Sequence, residues 1–144
     1  MNNIVVIGSC NMDITVMADK RPTAGETIMG SGLNISPGGK GANQAVAAAK
    51  LRAQVTMVGC IGDDAYGRMV LDNLHKYNIN TDYLTVIEGE NSGTAHITLA
   101  EGDNSIIVIA GANAKVDEKV VDNAWDAIMK ADLVLVQNEI PLST

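Results

Sequence analysis

The chain has 144 residues, long enough for one domain with a real core, and at 47% hydrophobic and 19% charged residues it lies outside the range of disordered segments. A net charge of −7 without a basic cluster argues against nucleic acid or an anionic membrane as partner. Apolar runs such as Ile4 to Ile7 and Ile106 to Ala110 are too short to cross a bilayer.

The opening "MNNIVVIGSC" shows no basic leader or cleavage pattern, and Cys10 and Cys60 form no CxxC pair. A cytoplasmic protein with reduced thiols is therefore expected. Phe is absent and Trp125 is the lone Trp, so the core is expected to be aliphatic and methionine-rich.

In chain order, "NIVVIG" reads as a strand buried on both faces. Residues Asp13 to Ser36 hold two extended segments, "DITVM" and "ETIMGSGLNIS", joined through "DKRPTAGE". "GANQAVAAAKLR" reads as a helix and "QVTMVGCIG" as a second strand. "AYGRMVLDNLHKYN" is an amphipathic helix with Met69, Val70, Asn73, Leu74 and Tyr77 on one side.

Thr94 to Ile109 form a predicted hairpin: "TAHITLA", the turn "EGDN", then "SIIVI". Its first arm alternates Thr94, His96 and Thr98 with Ala95, Ile97 and Leu99, a polar face against an apolar one. "VDEKVVDNAWDAIMKA" is a third helix, burying Val116, Val120, Val121, Ala124 and Ile128. "ADLVLVQNE" is a strand buried on both faces. The series predicts an α/β fold: a Rossmann-like, mostly parallel sheet, with the two insertions (about 13–36 and 94–109) forming a small separate β-sheet.

The glycine-rich turn "SPGGKGANQA" raises the question of a phosphate site. The Walker A pattern would need glycine at Asn34 and Ser or Thr at Gly41, and fails at both. A dinucleotide fingerprint starting at Gly39 and Gly41 puts its third glycine on Gln44, and fails too. Gly38, Gly39 and Gly41 would let backbone N–H groups approach a ligand at a helix N-terminus, with Lys40 and Asn43 alongside. A glycine turn that packs the helix close to the sheet explains the same residues.

Asn11 and Asp13, two apart after the first strand, share a face if extended. A carboxylate accepts from neighbouring hydroxyls and an amide both donates and accepts, which suits a sugar. An Asx turn is the competing explanation for either residue singly. Asp63 and Asp64 read as a helix N-cap before a cation site, and His75 and His96, without partners at metal spacing, as structural. Met12, Met17, Met57 and Met69 read as gap fillers.

"GSCNMD", "PTAGET", "GGKGANQAVAAA", "GCIGDDAYG" and "AGAN" resemble, in order and spacing, the ribokinase-like carbohydrate kinase family. The resemblance covers Ile4 to Thr144, roughly the amino-terminal half of such an enzyme. It implies ATP-dependent phosphorylation of D-ribose to ribose 5-phosphate in the parent enzyme. The alternatives are a kinase of this family for another sugar or a nucleoside, or a non-catalytic sugar-binding or dimerising fragment.

By the same resemblance, Asn11, Asp13, Gly38, Gly39, Lys40, Asn43 and Glu139 bind the sugar, and Ala95, Ile97 and Val108 lie over it from a β-sheet lid. Pairing of the lid between subunits implies a homodimer. Asn138 stands where the family has leucine. The catalytic aspartate, an anion hole, an Asn-x-x-Glu metal motif and the nucleotide pocket are expected beyond Thr144. ATP, Mg2+ and an activating K+ are thus expected for the parent enzyme and not on this segment, which alone is expected to be inactive.

Overall fold

A computed structural model describes residues 2–144. Its first sheet contains β1 (Asn3–Ile7), β4 (Gln54–Gly62), β5 (Asn80–Ile87) and β8 (Leu133–Val136), in the order β5-β4-β1-β8 with every pair parallel. Helices α1 (Lys40–Lys50) and α2 (Ala65–Lys76) supply the crossovers from β1 towards β4 and from β4 to β5. The return to β8 runs through a 3₁₀ turn (Gly111–Lys115), α3 (Glu118–Asn123) and α4 (Trp125–Met129).

The two central strands carry near-continuous apolar runs because both their faces are covered. Val6, Met57 and Ile61 pack with Ala45, Val70 and Leu74 on one side. Val5, Ile7, Val58 and Cys60 pack with Val116, Val120 and Ala124 on the other. Cys10 and Cys60 are both free and buried. Burial pushes the Cys10 thiol up to about 12, helped by neighbouring Cys60.

The second sheet consists of β2 (Asn11–Met17), β3 (Gly32–Gly38), β6 (Gly93–Ala100) and β7 (Asp103–Ile109), in the order β3-β2-β6-β7. Its central pair β2–β6 is parallel and both outer pairs are antiparallel. It is entered twice, between β1 and α1 and between β5 and the 3₁₀ turn. Both insertions therefore meet in one sheet, as the sequence predicts.

Several expectations are corrected. β5 has no counterpart in the sequence reading, because "NTDYLTVI" is half exposed at the sheet edge and lacks a clean apolar run. β8 is not buried on both faces: it lies at the other edge, paired only with β1, and Leu133, Val134 and Val136 are exposed. The helix expected over residues 116–131 is broken at Ala124. There Ala124 N–H donates to Val121 O at 2.9 Å, tightening the turn so that Ala124 stays buried while Trp125 swings out.

"ETIM", flanked by Gly25 and Gly30, is loop, and β3 starts only at Gly32, after Ser31 N–H donates to Met17 O at 2.7 Å. The hairpin turn is Glu101–Gly102 alone, with φ of 57° and 76°. Both values are positive, as a two-residue turn matched to strand twist requires, so Asp103 and Asn104 belong to the strand. Met12 and Met57 are buried, but Met69 and Met17 lie at rims and are exposed.

Candidate functional site

The site is built where β1 ends and the second sheet begins. Chain alternation puts Asn11, Asp13 and Thr15 of β2 on one face, and the register extends that face across four strands. Asp13 pairs with Ser36 on one side and Ala95 on the other, and Ala95 pairs with Val108. In the next row Thr15 pairs with Ile97, and Ile97 with Ile106. The predicted residues Ala95, Ile97 and Val108 therefore share a face with Asn11 and Asp13, polar at one edge and apolar at the other.

The far wall comes from α1 and the segment after β8. Lys40, exposed at the first turn of α1, forms an ion pair with Glu139. Glu139 also accepts a hydrogen bond from the Ser9 hydroxyl at 3.1 Å. Gln137 Oε1 accepts from Ser9 N–H at 3.1 Å and from the Ser9 hydroxyl at 2.9 Å, fastening the end of β8 to the end of β1. Asn43 is exposed one turn into α1. Burial pushes the Asp13 carboxyl above its ordinary range, and the Glu139 charge adds to the push.

The glycines of the turn have a steric role. A Cβ on Gly41 would meet Ser9 N at 2.6 Å and Gly8 C at 2.7 Å. On Gly39, whose φ is 89°, it would meet Asn11 N at 2.6 Å. On Gly38 it would fall on the Asp13 carboxylate itself. These positions let α1 press against the β1–β2 corner, and Ala42 N–H donates to Ser9 O at 3.0 Å there. Close packing is what sets the first turn of α1, with Lys40 paired to Glu139, against the β1–β2 corner.

Sequence reasoning gave no role to Ser9, Gln137, Gly93 or Asn113, although "GSCNMD" and "AGAN" contain two of them. Asn113, fully enclosed, accepts from Cys10 N–H at 2.9 Å and donates to Cys10 O at 3.0 Å and to Asn11 Oδ1 at 2.7 Å. Of Asp63 and Asp64, read together as a helix N-cap, only Asp64 fills that role, while Asp63 accepts from Gly89 N–H at 3.2 Å. Asp64 caps α2, accepting from Gly67 N–H at 2.8 Å, and also takes Ser92 N–H and the Ser92 hydroxyl at 2.8 and 2.7 Å. His75 bonds Thr81 at 2.8 Å and His96 bonds Thr94 at 3.1 Å.

Among the described residues no group of three or more His, Cys, Asp or Glu stands close enough to hold a metal. Nor is any helix long and apolar enough to cross a membrane. A groove of about 750 Å³ lies at the opposite, amino-terminal end of the parallel sheet and is lined by Asn3, Gln54, Thr56 and Asn80. No candidate residue lines it. The chemistry-bearing face is open, an arrangement suited to a ligand with many hydroxyls and one apolar side.

A profile of the pfkB family of carbohydrate kinases matches residues 1–144. Ribokinase of Bacillus subtilis (strain 168) is 56% identical over the whole chain, which covers 49% of that protein. Ribokinase of Dictyostelium discoideum is 43% identical over 99% of the chain and 45% of its own length. The structure of Arabidopsis thaliana ribokinase complexed with ribose and ATP superposes with a TM-score of 0.89 at 38% identity, over 99% of this chain and 47% of that one. The chain thus spans about half the length of the relatives it matches.

Proposed function

Because the chain belongs to the pfkB family of carbohydrate kinases, we propose that it is the sugar-positioning part of an enzyme that phosphorylates D-ribose to ribose 5-phosphate with ATP. The observation that carries this reading is the shared face: Asn11 and Asp13 stand in register with Ala95 and Val108, closed at one end by Lys40 and Glu139. Asp13 and Glu139 accept from sugar hydroxyls, while Lys40 and Asn43 donate. Gly38 and Gly39 admit the close approach. Ala95, Ile97 and Val108 cover the apolar side of the ring and exclude water.

In this reading the chain is the amino-terminal portion of one ribokinase-like domain, and the second sheet, insertions at about 13–36 and 94–109, is a lid that also joins two subunits. The setting is the cytoplasm. ATP supplies the phosphoryl group to the sugar oxygen, with Mg2+ and an activating K+. The base that takes the hydroxyl proton and the nucleotide contacts belong to the half of the relatives' length that this chain does not span. What this chain contributes is orientation of the hydroxyl, which in phosphoryl transfer is a large share of catalysis.

Calorimetric titration with D-ribose and a coupled ADP-release assay on one preparation test the two parts separately. Saturable ribose binding with no ribose-dependent ADP release is expected. Absence of ribose binding would remove the sugar-positioning reading. ADP release proportional to chain concentration, with full-length kinase excluded by mass spectrometry, would show that the chain needs no further half.

A further inference from the structure

Asn113 carries no charge and touches no open surface, yet its side chain makes three hydrogen bonds at the root of the candidate site. Two of them fix its orientation without ambiguity. Cys10 N–H can only donate, so the atom 2.9 Å from it is the Asn113 oxygen. Cys10 O can only accept, so the atom 3.0 Å from it is the Asn113 nitrogen. The amide is locked on the backbone of a residue 103 positions away.

The third bond transmits that orientation. Asn113 Nδ2, already defined as a donor, lies 2.7 Å from the Asn11 side chain, which must therefore present its oxygen. The other end of the Asn11 amide, Nδ2, makes no hydrogen bond among the described residues. No buried side-chain nitrogen or oxygen lacks a partner there, so Asn11 Nδ2 is the part of this nearly enclosed residue that reaches the surface. It does so on the face it shares with Asp13. Gly93 leaves the room for this contact: a Cβ there would collide with both Asn113 Nδ2 and Asn11 Oδ1.

We propose that Asn113 is a positioning residue that fixes the polarity of Asn11, so that Asn11 offers the bound sugar only N–H donors beside the acceptor carboxylate of Asp13. The inference rests on the sugar-binding reading and adds the polarity of one contact. A hydroxyl lying between the two residues accepts from Asn11 and donates to Asp13, a pairing that a reversed amide could not serve.

Asn113→Asp tests this directly. The variant keeps an oxygen for Cys10 N–H but turns the other end into an acceptor, which gives up the bond to Cys10 O and forces Asn11 to rotate and hide its nitrogen. Asparagine side-chain ¹⁵N resonances are followed during D-ribose titration of the chain. In the wild type, ribose should shift Asn11 Nδ2 and leave Asn113 Nδ2, protected from solvent exchange, in place. In Asn113→Asp, Asn11 Nδ2 should become exchange-protected and insensitive to ribose, with affinity down at least tenfold.

Should Asn113→Asp fail to fold, the wild-type titration alone decides: ribose shifts that spare Asn11 Nδ2 overturn the proposal. So does a folded variant that binds ribose as tightly as wild type with Asn11 Nδ2 still responding. No ribose-induced shift anywhere in the wild type sinks the sugar-binding reading and this inference with it. Ribose shifts confined to other site residues sink the inference alone.

Discussion

Lys40 and Glu139, 99 residues apart in sequence, are joined as an ion pair across the mouth of the candidate site. Lys40 opens α1 and Glu139 follows β8, so the pair ties the first crossover helix to the last strand. Ser9, at the end of β1, holds the other Glu139 oxygen. The consequence falls on Asp13, whose carboxylate is left as the uncompensated charge on this face.

Asp13→Asn should stabilise the fold while weakening ribose binding. Burial, then the Glu139 charge, raises the Asp13 pKa, so folding disfavours its ionised form. The sign follows from linkage: the stability of the protonated form is present at low pH and lost as pH rises through the raised folded value. Wild type should therefore melt below Asp13→Asn at pH 7, with the gap closing as pH falls towards the ordinary Asp value. Ribose affinity should fall in the variant by about 1.5–3 kcal/mol, the range for a charge-assisted hydrogen bond. A variant less stable than wild type at pH 7 would refute the stability half.

Asp64 should behave in the opposite way. Burial alone would raise its pKa, but bonds from the Ser92 hydroxyl and from the Gly67 and Ser92 N–H groups outweigh that and hold it low. Its stabilisation is present above the unfolded pKa and lost as pH falls through the depressed folded value. Asp64→Ala removes an N-cap and the tie between α2 and β6, costing about 2 kcal/mol at pH 7. Thermal melts should show the deficit shrinking below about pH 4. A deficit independent of pH would mean the carboxylate is not the stabilising group.

Much of the site was legible because local periodicity encodes it. Asn11 and Asp13 at i and i+2, and Ala95 and Ile97 likewise, announce shared faces wherever the strands pair. The resemblance supplied Glu139, which no local pattern reaches. Asn113 escaped because a buried amide that serves backbone groups leaves no periodic trace, and its partners lie 102 and 103 positions away. β8 misled for a related reason. "DLVLVQ" has the composition of a covered strand, but covering is a property of neighbours, and this one has β1 on a single side.

Gly41→Ala should cost far more than Gly102→Ala. A Cβ on Gly41 would strike backbone atoms of Ser9 and Gly8 below 3 Å, and backbone cannot turn aside as a flexible side chain can. Prying α1 away should cost about 3 kcal/mol, the upper range for overpacking. Gly102 has open space and only its φ of 76° to resist a side chain, so about 1 kcal/mol is expected. Urea midpoints of the two variants measure the contrast. Equal costs would mean that α1 can move off the corner freely.

The second sheet should join two copies of this chain. β7 is an edge strand, and its residues Ile106, Ile107, Val108 and Ile109 are each at least half exposed. Leu33 and Ile35 are likewise exposed on β3, the opposite edge. An edge of unpaired backbone groups flanked by branched apolar side chains is the pattern that natural sheets blunt with charge or cover with a partner. Here Asp103 is the lone charged residue of β7. Light scattering at micromolar concentration should therefore report a dimer. Ile107→Lys adds charge at the most exposed of the four positions and should yield a monomer with little change in melting temperature. A wild-type chain that stays monomeric, or an Ile107→Lys chain that stays dimeric, would place the contact elsewhere or remove it.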